Sequence, residues 1–194
     1  MSHPLIVISG PAGVGKTTVV KALLKIYPSL HSSVTYTTRQ KRHKSTEDKI
    51  MHHVSVDEFE RLKQDGAFIE WAIVHGDFYG THKKETEDLL VTNPVIFNID
   101  VQGAEQLKVL YKDRVITIFL APESQEQMVD HIKKRGEMTA GSFQERLKSA
   151  ERELAKQDGF DHKIVNFEGK LNETIDKIIE ILKPYLPLDK NSDT

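Results

Sequence analysis

The feature that most constrains this chain is a glycine-rich stretch at residues 10–17, which reads GPAGVGKT. It fits the pattern G-x-x-x-x-G-K-[ST] of a phosphate-binding loop, or P-loop. Its glycines permit backbone dihedrals that turn successive N–H groups inward around an anion. Lys16 adds a charge that can reach the phosphates, and the Thr17 hydroxyl can hold Mg²⁺. The predicted phosphate-binding residues are Gly10, Pro11, Ala12, Gly13, Val14, Gly15, Lys16, Thr17 and Thr18.

The flanking sequence gives this motif the context that it needs. Residues 4–9 form a short apolar run rich in β-branched residues, which predicts a buried parallel strand. Residues 17–26 carry apolar side chains at the spacing of a helix that packs on a sheet, and Pro28 is expected to end that helix. A strand, a P-loop and a helix therefore follow one another in the order that phosphate binding requires.

Composition and charge exclude several classes of protein. The 194 residues suit one domain with inserted subdomains, and a net charge of −2 gives no electrostatic case for binding nucleic acid. The chain has no cysteine, which excludes disulfides, thiolate catalysis and cysteine-based zinc sites. It shows no signal peptide and no apolar run of membrane-spanning length, so we expect a cytoplasmic protein without a membrane partner.

Strand patterns alternate with helix patterns along the chain, which predicts an α/β fold. We expect a P-loop-type parallel sheet with helices on both faces. Further core strands are predicted at residues 95–100, 114–120 and 162–167. The first of these ends in Asp100, an acid well placed to meet Mg²⁺ at the carboxyl edge of the sheet.

The middle of the chain predicts a small antiparallel insert with one helix. In the strand at residues 68–74, Phe68, Glu70, Ala72 and Val74 are expected on one face and the intervening residues on the other. Gly76 and Asp77 predict a hairpin turn after this strand. Residues 33–38 and 50–54 are predicted strands, and a basic stretch lies between them at residues 39–44. That stretch is either a solvated loop or an anion-binding segment, and the P-loop favours anion binding.

Serine caps are predicted at the starts of three helices. Ser55, Ser124 and Ser142 each precede a Glu or Gln by three residues, the capping-box pattern, and Asn172 is expected to cap the last helix. The helices after Ser124 and Ser142 are polar and are linked by a basic, glycine-containing segment. This pair is either a mobile cover over a nucleotide or an ordinary exposed helical hairpin.

A P-loop alone indicates a nucleotide, but it does not separate kinases, GTPases and ATPase motors. We find no N-K-x-D motif of the kind that reads guanine in GTPases, and motors are usually larger. A basic insert after the first helix, together with a late basic helical hairpin, favours a nucleotide kinase. The insert would hold a phosphorylated acceptor, and the hairpin would close over ATP and exclude water.

Several longer motifs make this hypothesis specific. They are GPAGVGKT at 10–17, SVTYTTRQKR at 33–42, VSVDEF at 54–59, GAFIEWAIVHGDFYGT at 66–81, NIDVQGA at 98–104, RG at 135–136 and ERLKSAERE at 145–153. In these motifs and in their order, nearly the whole chain resembles the guanylate kinase family. The resemblance implies phosphorylation of GMP, and of dGMP, by ATP with Mg²⁺.

The resemblance also implies which residues bind GMP. Arg39 and Arg42 would hold its phosphate, because guanidinium groups match phosphate geometry bidentately. Glu70 would accept hydrogen bonds from guanine N1–H and the exocyclic amino group, and Thr81 would donate to guanine O6. The remaining members of the implied GMP site are Thr35 and Tyr79, whose hydroxyls would contact the phosphate, and Asn98 and Asp100.

Catalysis would rest on charge and position. Lys16, Arg39, Arg135 and Arg146 are the implied catalytic residues, and the last two would approach the ATP phosphates as the helical lid closes. Thr17 and Asp100 would lie near Mg²⁺. No general base is required, because the acceptor oxygen belongs to a phosphate that is already anionic.

The chain departs from the family pattern at two positions of the acceptor site. Met51 stands where the family usually has a tyrosine that donates to phosphate, and Asn98 stands where it commonly has the first aspartate of D-I-D. The loss of one phosphate hydrogen bond should weaken binding by about 1–3 kcal/mol. These departures leave open a kinase of the same fold with a different phosphorylated acceptor. A non-catalytic binding module is disfavoured, because Lys16 and Arg146 are retained.

The motifs also divide the chain. We expect one guanylate kinase-like domain over residues 1–187, with a core at 1–32, 94–123 and 158–187. The GMP-binding insert is expected at about 33–93, the lid at about 124–157, and a disordered tail at 188–194. The expected partners are small-molecule nucleotides, for a chain that is a monomer or a homodimer.

Overall fold

The computed structural model of the protein describes residues 3–41, 51–133 and 140–186, apart from the side chains of Ala140 and Ser142. The predicted site residues Arg42 and Arg135, and the expected tail, lie outside these residues. The seven helices within the described part are α1 (Lys16–Ile26), α2 (Val56–Gln64), α3 (Lys83–Leu90), α4 (Val101–Tyr111), α5 (Gln125–Lys133), α6 (Ala140–Ala155) and α7 (Leu171–Leu182).

The centre of the described structure is a parallel sheet, to which the described residues contribute five strands. The strands are β1 (Leu5–Ser9), β2 (His31–Ser32), β7 (Val95–Asn98), β8 (Val115–Pro122) and β9 (His162–Asn166), in the order β2-β7-β1-β8-β9. All four strand pairs are parallel. Every residue of β1 is buried, which explains the continuous apolar run before the P-loop.

Helices cover both faces of this sheet, so the predicted fold class is confirmed. Leu23 of α1 and Ile178 of α7 pack with Ile6 and Ile8 of β1. On the opposite face, Leu107 of α4 packs with Leu5, Val7 and Phe97. Successive residues of β1 point to opposite faces, so one short strand contributes to both cores.

The second sheet has four strands in the order β4-β3-β6-β5, and it is mixed. The strands are β3 (Thr35–Thr37), β4 (His52–His53), β5 (Phe68–Val74) and β6 (Asp77–His82). The hairpin of β5 and β6 is antiparallel, as predicted, but β3 and β4 run parallel. The predicted antiparallel insert is therefore confirmed for the β3–β6 and β5–β6 pairs. It was wrong for β4, because the sequence pattern does not show in which direction the next strand runs beside β3.

A β-bulge corrects the predicted faces of β5. Phe68 pairs with His82 and Glu70 pairs with Thr81, so the register shifts at Ile69. The Phe68 ring stacks on the Phe59 ring at 4.5 Å and joins the aromatic cluster that lies away from Glu70. Alternation predicted Phe68 on the same face as Glu70, but a bulge reverses alternation where it occurs.

The helix caps were predicted with mixed success. The Ser55 and Ser124 hydroxyls accept hydrogen bonds from the N–H groups of Glu58 and Gln127, each at 3.1 Å. By contrast, α6 begins at Ala140 and includes Ser142, and α7 begins at Leu171 with Lys170 at its N-cap. The caps predicted at Ser142 and Asn172 were therefore wrong, because a capping pattern does not exclude an earlier helix start.

Helices α5 and α6 pack together as a pair through Met128, Ile132 and Ala150. Within the described ranges, no helix combines the length and the apolar character needed to cross a bilayer.

Candidate nucleotide site

The P-loop connects β1 to α1 and has the backbone that its glycines predict. Gly10, Gly13 and Gly15 have φ angles of 135°, 90° and 97°. A Cβ atom on Gly10 would lie 2.2 Å from the Leu120 carbonyl oxygen, so neighbouring strand β8 also leaves no room for a side chain there. The first turn of α1 has no side-chain cap, which leaves its N–H groups directed at the loop.

Lys16 folds its side chain back over the P-loop. Its ammonium group donates hydrogen bonds to the carbonyl oxygens of Gly10 and Pro11, the latter at 3.1 Å. These contacts hold a positive charge beside the backbone N–H groups of the loop. A phosphate bound in the loop would meet both.

An open cavity lies between the P-loop, the carboxyl end of β7 and the sheet of β5 and β6. Ten of the predicted site residues line it: Ala12, Lys16, Thr17, Thr35, Arg39, Glu70, Tyr79, Asn98, Asp100 and Arg146. Residues from five separate parts of the sequence thus meet in one cavity. The sequence did not predict six further lining residues: Ala72, Val74, His75, Gly80, Ile99 and Glu153.

Glu70 is an ionisable group of this cavity whose pKa is raised. Its side chain is buried, and burial raises its pKa from 4.5 to about 7, with the nearby Asp100 carboxylate adding to the rise. The Thr81 hydroxyl donates to Glu70 Oε1 at 2.5 Å and lowers the pKa in part. Thr81 has no exposed surface and does not line the cavity, so it contacts Glu70 from behind.

Arg39 lines another side of the cavity and is largely buried. Its backbone N–H donates to Thr37 Oγ1 at 3.2 Å, and its carbonyl oxygen lies 2.7 Å from His53 Nδ1. These contacts fix the backbone of Arg39, which lines the cavity together with Tyr79 and Met51. Met51 thus contributes a thioether and no hydroxyl at this wall.

The residues at the end of β7 connect the P-loop to α4. Asn98 Nδ2 donates to Thr17 Oγ1 at 3.1 Å. The carboxylate of Asp100 caps α4, accepting from Gly103 N–H at 2.9 Å and from Gln102 Nε2 at 2.8 Å. Both oxygens of Asp100 therefore already have partners within the protein.

These donors can be tested for their fit to Mg²⁺. Among the described residues, no group of three or more His, Cys, Asp or Glu side chains is arranged to hold a metal ion. Mg²⁺ in phosphoryl-transfer sites commonly takes one or two protein ligands and completes its shell with phosphates and water. The Thr17 hydroxyl fits that pattern, while Asp100 fits better as an outer partner because its oxygens are engaged.

Arg146 and Glu153 extend into the cavity from α6. Glu153 is buried, and its Oε1 accepts a hydrogen bond from Ser149 Oγ at 3.1 Å. In sequence, Glu153 looks like one of many charges on a polar helix. Its spacing of seven residues from Arg146 places both on one helix face, which was the available signal.

Asn166 is a further residue that the sequence interpretation missed. Its Nδ2 donates to the Val14 carbonyl oxygen at 2.8 Å, and its Oδ1 accepts from Thr174 Oγ1 at 2.7 Å. A Cβ on Gly15 would lie 2.8 Å from Asn166 Nδ2. Asn166 therefore connects the P-loop to α7 from the end of β9.

Comparisons with known proteins agree with this geometry. The sequence profile of the family described as guanylate kinase matches residues 2–186. The chain is 37% identical to a guanylate kinase of Rhizobium johnstonii over 180 residues, which are 92% of this chain and 81% of that protein. It is 42% identical to a guanylate kinase of Nitratidesulfovibrio vulgaris over 164 residues, 84% of this chain and 78% of that protein. Its structure is similar to the crystal structure of guanylate kinase from Anaplasma phagocytophilum, with a TM-score of 0.75, 29% identity, and coverage of 96% of this chain and 87% of that one.

Proposed function

This chain belongs to the guanylate kinase family, and we propose that it phosphorylates GMP, and dGMP, at the expense of Mg·ATP. The single observation that carries the proposal is the cavity itself. A P-loop lysine and a buried glutamate that can read guanine open into the same space. A phosphate donor and a guanine nucleotide acceptor would therefore meet there.

Guanine recognition follows from the environment of Glu70. Guanine offers adjacent donors at N1–H and the 2-amino group, whereas adenine has an unprotonated N1 and no 2-amino group. Burial makes an unpartnered Glu70 carboxylate costly, and two donors from guanine would satisfy it. The Thr81 proton points to Glu70, so the donation to guanine O6 that the resemblance implies requires the hydroxyl to rotate towards the base.

Phosphoryl transfer depends on the alignment of the donor and acceptor phosphates and on neutralisation of their charge more than it depends on proton transfer. Arg39, with Arg42, would hold the acceptor phosphate, while Lys16 and the P-loop N–H groups hold the donor phosphates. Mg²⁺ supplies neutralisation of charge on the donor phosphates when bound, with Thr17 as its protein ligand. Arg146, with Arg135, would contribute positive charge as α6 approaches, and the covered cavity would keep water from accepting the phosphoryl group.

We further propose a division of labour along the chain. The core at residues 1–32, 94–123 and 158–187 binds ATP, the insert at about 33–93 binds GMP, and residues 124–157 act as a lid. The separate four-stranded sheet and the packed pair of α5 and α6 support this division.

A second candidate function keeps the chemistry but changes the acceptor to another phosphorylated molecule. Met51 at the cavity wall and Asn98 beside Thr17 favour it, because both differ from the family pattern. The Glu70 and Thr81 pair favours GMP, because an acceptor without guanine lacks the adjacent N1–H and 2-amino donors that the buried carboxylate can accept.

A coupled assay of ADP formation tests these alternatives. With Mg·ATP, we expect activity with GMP and dGMP and little with AMP, CMP or UMP. Activity with a different acceptor and none with GMP would establish the second candidate. Calorimetry without detectable Mg·ATP binding would contradict both kinase proposals.

A further inference from the structure

Glu70, the carboxylate proposed to read guanine, belongs to the edge strand β5. Helix α4, which covers the ATP-binding sheet, supports this strand. Strand β5 is at the edge of its sheet, and within the described residues no strand pairs with the side of β5 away from β6. Helix α4 packs against this strand from the core. The helix begins at Val101, directly after its N-cap Asp100 at the wall of the cavity, and its residue Gly103 lies beside Glu70.

Gly103 is the point of closest approach between the helix and the carboxylate. A Cβ atom at this position would lie 2.5 Å from Glu70 Oε2 and 3.1 Å from Glu70 Cδ. Gly103 has an ordinary helical backbone and is not among the glycines with positive φ, so its conformation does not require glycine. Its missing side chain is explained by the space that Glu70 occupies.

Gln106, one turn further along the same face of α4, forms hydrogen bonds with backbone groups at the open edge of β5. Its Nε2 donates to the Trp71 carbonyl oxygen at 3.0 Å, and its Oε1 accepts from the Trp71 N–H at 3.3 Å. One amide group thus makes both hydrogen bonds that a neighbouring strand would make at that residue. Trp71 directly follows Glu70, so this pair of bonds fixes the backbone next to the carboxylate.

From these contacts we propose that Gly103 and Gln106 are positioning residues for guanine recognition. Gly103 leaves the space that Glu70 needs, and Gln106 holds β5 in the position in which Glu70 faces the cavity. Neither residue lines the cavity, so both act through Glu70. The inference rests on the proposed function, because it assigns a task to the residue that reads the base.

The test compares G103A and Q106M with wild type in steady-state assays that use GMP and IMP. IMP retains N1–H and O6 but lacks the 2-amino group, so the GMP to IMP ratio of kcat/KM reports how well the carboxylate is placed. We expect G103A to raise the KM for GMP at least tenfold and to lower this ratio about tenfold. Q106M, which keeps side-chain length without the two hydrogen bonds, should shift both quantities several-fold in the same direction.

Two controls separate positioning from loss of structure. V109A changes an exposed residue of α4 and should leave both KM values and the ratio within twofold of wild type. The KM for ATP should also stay within twofold in G103A and Q106M. Alanine favours helix more than glycine does, so a weakened helix cannot explain a defect in G103A.

The outcomes distinguish the inference from its premise. Wild-type protein without GMP kinase activity would overturn the proposed function. Active wild type together with an unchanged GMP to IMP ratio in both variants would overturn the positioning role alone. Equal increases in the KM for ATP and GMP with a lower Tm would also overturn it, since they would indicate general disruption.

Discussion

At the scale of single residues, Glu70 is a buried carboxylate that we propose reads guanine. Removing its charge while keeping its shape should therefore be costly. Each hydrogen bond to a charged group contributes about 1.5–3 kcal/mol, so E70Q should lower kcat/KM for GMP by roughly a hundredfold. The KM for ATP should not change. The exposed E151Q serves as a matched control, and a similar loss in that variant would contradict the assignment.

The raised pKa of Glu70 also predicts a pH dependence of stability. Its pKa is about 7 in the folded protein against 4.5 for the ordinary group, so the folded state binds more protons between these values. Stability should therefore fall as pH rises from about 4.5 to about 7, by up to about 3 kcal/mol, and then level off.

Urea unfolding of wild type and E70Q across this range measures the effect. As pH rises, the free energy of unfolding of wild type should fall relative to that of E70Q. In the same range, KM for GMP should fall with rising pH in wild type, because the ionised carboxylate is the form that accepts from guanine. A constant stability difference would refute the pKa assignment.

Met51 is the second informative residue, because it places a thioether in the wall of the cavity that Arg39 also lines. M51Y restores the hydroxyl that the family usually has there. We expect the KM for GMP to fall about fivefold, which corresponds to roughly 1 kcal/mol for one hydrogen bond. M51F adds the ring without the hydroxyl, so an equal gain in M51F would show that ring packing was responsible.

At the scale of elements, the junction between β8 and β9 depends on one carboxylate. Asp161 accepts from the Thr117 N–H at 2.8 Å, from Thr117 Oγ1 at 2.7 Å and from Lys108 Nζ at 2.9 Å. Burial by itself raises the pKa of Asp161, but these donors outweigh it and leave the pKa below 3.8. The stabilisation is therefore present above about pH 3.8 and is lost as pH falls through the lower folded pKa.

D161A should lower the free energy of unfolding at pH 7 by about 2–4 kcal/mol, because it leaves the buried Thr117 N–H without its acceptor. Chemical denaturation measures the loss. The control is D158A, at an exposed position in the preceding 3₁₀ turn, which should have little effect. Equal effects of the two variants would mean that the Asp161 contacts contribute nothing specific.

At the scale of the whole molecule, Asn166 holds together segments that are far apart in the sequence. It connects the P-loop carbonyl of Val14 to Thr174 of α7. N166A removes both hydrogen bonds, so the KM for ATP should rise roughly five- to thirtyfold, at about 1–2 kcal/mol in total. The KM for GMP should stay near its wild-type value.

The control for this prediction is N172A, an exposed asparagine in the first turn of α7. It should leave both KM values unchanged. A rise in the KM for GMP equal to that for ATP in N166A would show that the mutation disturbs the whole cavity and not the P-loop.

The sequence by itself determined the parallel α/β core, because its signals are local. The buried strand, the glycines and the helix around residues 4–26 lie next to one another along the chain, and each follows from periodicity or backbone geometry. The Ser55 cap and the hairpin of β5 and β6 were predicted for the same reason. The family motifs then indicated most of the residues that line the cavity.

Only the tertiary structure decided the arrangements that depend on contacts between distant residues. The bulge at Ile69, the parallel pairing of β3 with β4, and the approach of Gly103 to Glu70 each depend on what packs against the segment. The same holds for Asn166 and Glu153, which in sequence are ordinary polar residues. Pairing, burial and close approach are properties of two segments together, and the pattern within either segment does not contain them.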